Sequence, residues 1–400
     1  MIDLFWKSIF DEKRKEQEFA SRRAQLAKQM MEDHLDAVVL FNRINIIYYA
    51  GLAHQQTERP IALVIPKEGS LMSFIPRLEA DHLQEYADIE AIIYSEYPGD
   101  AHPMEVLTKA LKSRGFNRLG VDADGYGSYW GYSGPRLSEC LPASEIISLL
   151  PAIRKQRAIK SPWEIENLRL STIFGNLAHQ MLVEEAELGC YEIEVGQRAT
   201  TRSSRIVVQS LAGIYQLQDW GVTPTHTGLK SGPQTAYPHP MAAGKQLEPG
   251  DLLVTWATAD INGYRSELER TLVMGEPTDD QRYYFEVAKM AQEVAFEALG
   301  PGVLCREIDE KVQQFFRDRD CGQYVRHHTG HSFGLEIHES PFLDTGEQEM
   351  LQPGMVVSVE PGLYVPGVGG FRPSDTVLIT EDGADIMTYF PRELDDLIIQ

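Results

Sequence analysis

Five short stretches in the second half of the chain place polar side chains where the surrounding pattern reads as strand and turn. They are Tyr237-Pro238-His239-Pro240, Gly263 to Thr271, His327 to Gly334 with His338-Glu339 close behind, Ser358 to Gly362, and Gly369 to Asp375. Glu267 and Glu269 alternate, so a strand would present both carboxylates on one face; a solvated face accounts for that as well as a site does. His327, His331 and His338 in a glycine-rich strand-and-turn segment can supply metal ligands or proton-transfer groups. Glu360 ends an apolar run just before Pro361-Gly362, and a carboxylate at a buried strand end needs a partner. His239, between two prolines, reads on its own as a loop residue.

The elements that must hold these groups can be read from periodicity. With 400 residues the chain is too long for one core and calls for two or three domains. In the first half, charged residues around Phe19, Leu26, Met30 and Met31 predict a helix over 11–34, and 104–113 predicts another. Apolar runs at 37–41, 61–65, 71–75, 91–94 and 118–122 predict strands, an α/β alternation. Residues 151–160 read as a basic connector. After it, Ser161, Pro162 and Glu164 form a helix-start signal, a capping box with proline in the first turn. The boundary is placed there, giving domains 1–155 and 156–400. The second domain alternates helices over 163–187 and 279–298 with strands at 252–258, 264–274, 355–360 and 374–380, many of them antiparallel by their short turns.

Composition excludes several functions. Thirty-seven basic and 59 acidic residues give a formal charge of −22, a field that repels a phosphate backbone. Nucleic-acid binding and attachment to an anionic membrane are not expected. The four cysteines are far apart and form no metal-binding or disulfide pattern. No secretory leader and no run of eighteen apolar residues is evident, so a cytoplasmic protein with a small-molecule substrate is expected.

Taken in order, the five stretches resemble those of the creatinase/prolidase/aminopeptidase P superfamily, peptidase family M24, with its pita-bread fold. The resemblance covers nearly the whole chain. It implies a mixed fold class, α/β followed by α+β, with a creatinase-type N-terminal domain over 1–155 and a pita-bread catalytic domain over 156–400. It also implies a homodimer. The family's peptidases hold two metal ions with two Asp, a His and two Glu. Here the first Asp position is Trp256, the second is Glu267, the His is His331, the first Glu is Glu360 and the second is Ser374. An indole cannot ligate a hard cation and a serine hydroxyl does so poorly. No cofactor is therefore expected, with room left for one weakly bound divalent metal (Mn, Zn, Co or Fe) on Glu267, His331 and Glu360.

Leu268-Glu269-Arg270-Thr271, the string Gly330 to Gly334 and the run Arg59 to Val64 are similar to creatinase, which works without metal. That resemblance implies a metal-independent hydrolase of C–N bonds in a small carboxylate-bearing guanidino or amidino compound. Glu269 and Glu360 would pair with the planar cation, and His239 would be the acid–base group. His331, His338 and Arg372 would bind substrate, and Arg59 of a partner subunit would hold its carboxylate. Trp256 would keep the pocket dry. Arg265, where creatinase has a tyrosine, and Glu339, as in the peptidases, depart from that pattern. Two alternatives stand beside it: a Xaa-Pro dipeptidase or aminopeptidase with a reduced metal site, and a non-catalytic binding protein or different reaction on the same fold.

Overall fold

The computed structural model describes residues 4–83, 89–212, 214–217, 223–241 and 244–400. The chain divides into two compact units. One holds the described residues from Asp11 to Gln156; the other holds those of 157–217 and 223–400 together with the N-terminal stretch up to Phe10.

The first unit is a six-stranded mixed sheet. Its strands are β1 (Ala37–Leu40), β2 (Ala62–Pro66), β3 (Leu71–Pro76), β4 (Ile89–Tyr94), β5 (Arg118–Val121) and β6 (Glu145–Ser148), in the order β4-β3-β2-β1-β5-β6. Val39, Phe41, Phe74, Leu107 and Leu119 belong to one buried cluster. The 11–34 helix is present as Glu12–Glu32, started by Asp11, whose carboxylate accepts from the Arg14 amide. The expected connector at 151–160 is different: Leu150–Ala158 is helical. Its charges made it read as a basic connector, but Arg157 and Lys160 are buried and have acidic partners in the second unit, to which they belong.

The second unit is built on two antiparallel systems. The first holds β7 (Thr225–Ser231), β8 (Leu252–Ile261), β9 (Tyr264–Arg265) and β10 (Leu268–Met274). The second holds β11 (Gly330–Ser332), β12 (Glu339–Leu343) and β13 (Val356–Val359), with β14 (Leu363–Val365) and β15 (Gly369–Phe371) forming a separate hairpin. β16 (Asp375–Ile379) and β17 (Ala384–Ile386) complete the second system, and β18 (Ile398–Ile399) runs beside β10. The capping box opens the Pro162–Glu185 helix as the sequence predicts, with Ser161 and Glu164 bonding each other's backbone amides at 3.2 and 3.0 Å.

That helix covers one face of β8. Ser171 donates to the Ala259 carbonyl at 2.6 Å, and His179 meets the Thr255 hydroxyl at 2.8 Å. The odd-numbered residues of β8 are thereby spent on the helix, and strand alternation turns Trp256, Thr258 and Asp260 to the other side. Leu182, Val195, Leu253, Leu272, Ala291, Val357 and Val377 are among the residues of the buried core. The two sheets are joined where Glu269 of β10 bridges to Ser374. This architecture, an N-terminal mixed sheet followed by a pita-bread unit, is the one the sequence implied. Among the described residues no helix is long and apolar enough to cross a membrane.

Candidate active site

The site lies on the face of the first sheet that the helix leaves free. Ser266 turns its hydroxyl toward the helix and donates to Ser171 O at 3.0 Å, so Glu267 turns the opposite way. There one Glu267 oxygen accepts from the Ser374 hydroxyl at 2.7 Å. His331, on β11, has Nδ1 3.1 Å from the Ser332 carbonyl. A carbonyl only accepts, so Nδ1 carries the hydrogen and Nε2 faces the carboxylates. Nε2 lies 3.0 Å from Glu360 Oε1 and 3.7 Å from Glu267 Oε2.

The charges are strongly interdependent. Burial, and after it the charge of Glu360, raises the Glu267 carboxyl above its ordinary range. Burial also acts to raise Glu360, but the hydrogen bond and charge of His331 outweigh it and hold that carboxyl at about 2. Burial would lower His331; its bond to Glu360 and the charge of Glu267 win and raise it to about 9. Without an ion, the imidazolium serves as the cation between two carboxylates.

One divalent ion can replace that proton. The candidate ligand atoms of Glu267, His331 and Glu360 all lie within 4.8 Å of one another. Ligand bonds of about 2.1 Å in a tetrahedral site put neighbouring ligand atoms about 3.4 Å apart, and the two His331 contacts of 3.0 and 3.7 Å straddle that value. With its Nδ1 hydrogen held by a carbonyl, His331 has the ligating nitrogen aimed inward. The donor set thus fits a single ion. It does not fit two: Trp256 and Ser374 stand where further carboxylates would be needed, and the Ser374 hydroxyl is spent on Glu267.

Glu269 departs from its expected role. Arg372 grips it through two nitrogens, Nη2 at 2.8 Å from one oxygen and Nε against the other, while Nη1 donates to the Pro238 carbonyl at 3.2 Å. Burial pushes the Glu269 carboxyl up to about 8 against the pull of Arg372. A carboxylate so engaged is not free to receive a planar cation from a substrate, and Arg372 is not an open anion site. The adjoining Arg270 is structural: it is almost fully buried, pairs with Asp375 at 2.9 Å, and donates to four backbone carbonyls.

The remaining candidates divide. The exposed ring of His338 lies 4.2 Å from that of His331, nearly perpendicular to it. Burial, then the charge of His331, lowers His338, and His239 also acts on it, which places the Pro238-His239 loop near this corner. His239 has no hydrogen bond or ion pair among the described residues. His327 is taken up by Tyr364 at 2.8 Å. Arg59 belongs to the first unit and pairs there with Glu58 and Glu96. Trp256 sits opposite Gly228 of β7, where a Cβ would come within 2.2 Å of the indole. The sequence reading missed Gly228, Thr258 and Tyr364. A glycine inside a strand was the available signal for the first, since it marks close approach by a neighbour.

Comparison with known proteins completes the picture. Residues 166–381 match metallopeptidase family M24, and residues 22–159 match the creatinase/prolidase N-terminal domain. The chain is 29% identical to a Xaa-Pro dipeptidase of Pyrococcus furiosus, over 93% of this chain and 99% of that protein. It is 30% identical to the uncharacterized peptidase YqhT of Bacillus subtilis, over 73% and 78%. Among solved structures, the prolidase from Pyrococcus horikoshii OT3 superposes with a TM-score of 0.77 at 28% identity, covering 94% of this chain and 99% of that one. These matches overturn the expected creatinase-like guanidino or amidino hydrolase. Relatives along almost the whole chain are named as Xaa-Pro dipeptidases, and the Glu269 that carried the creatinase likeness is held by Arg372.

Proposed function

Since this chain belongs to metallopeptidase family M24, and is thereby a hydrolase of that family, we propose that it cleaves the amide bond of a small Xaa-Pro-type peptide with one divalent ion in place of two. The observation that carries this reading is the convergence of Glu267, His331 and Glu360 on one point, with ligand atoms within 4.8 Å. These three residues would hold the ion. When bound, it would polarise the amide carbonyl and lower the pKa of a bound water.

The chain's own groups supply the rest. An amide nitrogen is a poor leaving group until protonated, and the exposed ring of His338 lies at the open edge of the cluster, 4.2 Å from that of His331, where it can hand over that proton. His239, which has no hydrogen bond among the described residues and lies near His338, is the second group able to carry a proton between water and the leaving nitrogen. Arg372 fixes Glu269 beside the cluster, and its charge favours the ionised forms of Glu267 and Glu360. Trp256 walls off the side where a second ion would lie and excludes water from it.

The test is proline release from L-alanyl-L-proline by chelator-stripped protein, alone and with Mn²⁺, Co²⁺ or Zn²⁺. Release that saturates at one equivalent of ion per chain is expected. No release with any of the three ions sinks the peptide reading, and release indifferent to chelation sinks the one-ion reading.

A further inference from the structure

The free face of β8 continues past the catalytic cluster. Trp256 is opposite Glu269 and Asp260 is opposite Arg265, with Thr258 between them on the same face. Beyond the indole this face opens into a cleft of about 360 Å³, lined by Thr223, His226, Thr258, Asp260, Arg265 and Ile337, with Pro224 and Ala259 adding apolar wall. The cleft adjoins the cluster at two points. Ile337 precedes His338, and Arg265 precedes Glu267 by two positions, about 7 Å along extended chain. That separation suits a molecule the size of a dipeptide.

Arg265 stands apart from the other arginines around the site. Arg372, Arg270 and Arg157 each have a carboxylate oxygen within 3.0 Å, and Lys160 lies buried beneath Ser332. Arg265 approaches its one carboxylate, Asp260, only through Nε at 3.5 Å, and the other oxygen of Asp260 is occupied by the Gly263 amide at 2.9 Å. The Arg265 backbone amide is tied to the Gly334 carbonyl at 3.0 Å, so the base of the side chain is fixed. Its two terminal nitrogens have no hydrogen-bond partner among the described residues. A guanidinium with that edge free presents two parallel donors, the geometry that a carboxylate accepts. Apolar walls around it strengthen such a pair by removing water.

We infer that Arg265 binds the carboxylate of the substrate in this cleft and selects molecules whose free carboxylate lies about one residue from the bond that is broken. The inference rests on the reading above of a small carboxylate-bearing peptide, and names the residue that recognises its acidic end. Asp260 steers the guanidinium from behind; Thr258 and His226 line the same cleft.

Calorimetric titration of the full-length protein with N-acetyl-L-proline, L-proline and the C-terminal amide of each is the test. The acids are expected to bind at least tenfold more tightly than their amides. Arg265→Met should bring acid binding down to the amide level, and Arg265→Lys should keep part of the preference. Equal binding of acid and amide by the unaltered protein, including no binding of either, overturns the inference without reference to any variant. So does an unchanged preference in folded Arg265→Met. Turnover of L-alanyl-L-proline separates the two readings. If Arg265-dependent acid binding occurs without turnover, the peptidase reading falls and this one stands. Turnover with an unchanged KM in Arg265→Met does the reverse.

Discussion

Glu269 and Ser374 exchange both backbone hydrogen bonds, Glu269 N to Ser374 O at 3.1 Å and Ser374 N to Glu269 O at 3.0 Å. This bridge helps join the two sheets, and it does so inside the site. Glu267 and Arg372, two residues to either side, therefore have their separation set by main-chain geometry rather than by side-chain choice. The buried Arg270–Asp375 pair lies next to the bridge and holds it closed, with Gln292 and Thr388 satisfying the remaining carboxylate positions.

Breaking that pair by removing one member leaves a buried charge alone. Arg270→Met is expected to cost about 3–5 kcal/mol. Urea unfolding followed by circular dichroism reads it directly. A loss under about 1 kcal/mol would mean that water enters the pair and that it does not secure the bridge.

Ser374 supports the ligand set through its 2.7 Å bond to Glu267. Ser374→Ala should lower stability by only about 0.5–1.5 kcal/mol yet weaken divalent-ion binding by about 10–100-fold. Competition with a metal-indicator dye measures the second quantity. An unchanged ion affinity would show that Glu267 needs no such support.

Acid stability should carry the mark of His179. Thr255 donates its hydroxyl hydrogen to the Arg270 carbonyl at 2.8 Å, so His179 Nε2 must be the donor to Thr255. Burial, then Arg270, lowers its pKa from 6.5 to about 3. The unfolded chain thus binds a proton that the folded chain refuses, and stability falls as pH drops below 6.5 toward 3. The slope is up to about 1.4 kcal/mol per pH unit for one group. His179→Gln, which keeps a donor to Thr255, should flatten the stability–pH curve by about one proton over that range. Equal slopes would mean that the ring is charged in the fold.

His338 depends on charges behind it. Glu339 accepts from Arg157 at 2.6 Å and lies 3.6 Å from Lys160, which in turn donates to Ser332 beside His331. Arg157→Met should leave Glu339 with only one cation and let His338 drift. We expect kcat to fall about tenfold or more with KM nearly unchanged, since a misplaced proton donor costs in the transition state. A KM effect alone would assign this network to binding instead.

The order of motifs and the outline of both units could be read from the sequence because glycine, proline and alternating apolar residues mark strands and turns locally. The pairing of Glu269 with Arg372 could not, since its two halves are 103 positions apart. Leu150–Ala158 was hidden by its charges; the acidic partners of Arg157, Glu336 and Glu339, lie far along the chain. The Cys305–Arg317 helix had a visible apolar stripe in Cys305, Ile308, Val312 and Phe316, but the residue capping its start is Leu304, which offers no side-chain cap. Within the site, residue types showed which ligands were missing, and only the fold showed that the three remaining ones converge.

The fit of Trp256 over Gly228 also constrains the history this site can have had. With a Cβ at position 228 only 2.2 Å from the indole, no other residue type there is compatible with Trp256 in its present pose. A lineage that once had aspartate at 256 had to acquire the glycine first, or both changes together. The reverse journey passes through the same intermediate: tryptophan is given up before position 228 is filled. The pair therefore allows one route in both directions, and related chains should show tryptophan at 256 only where 228 is glycine.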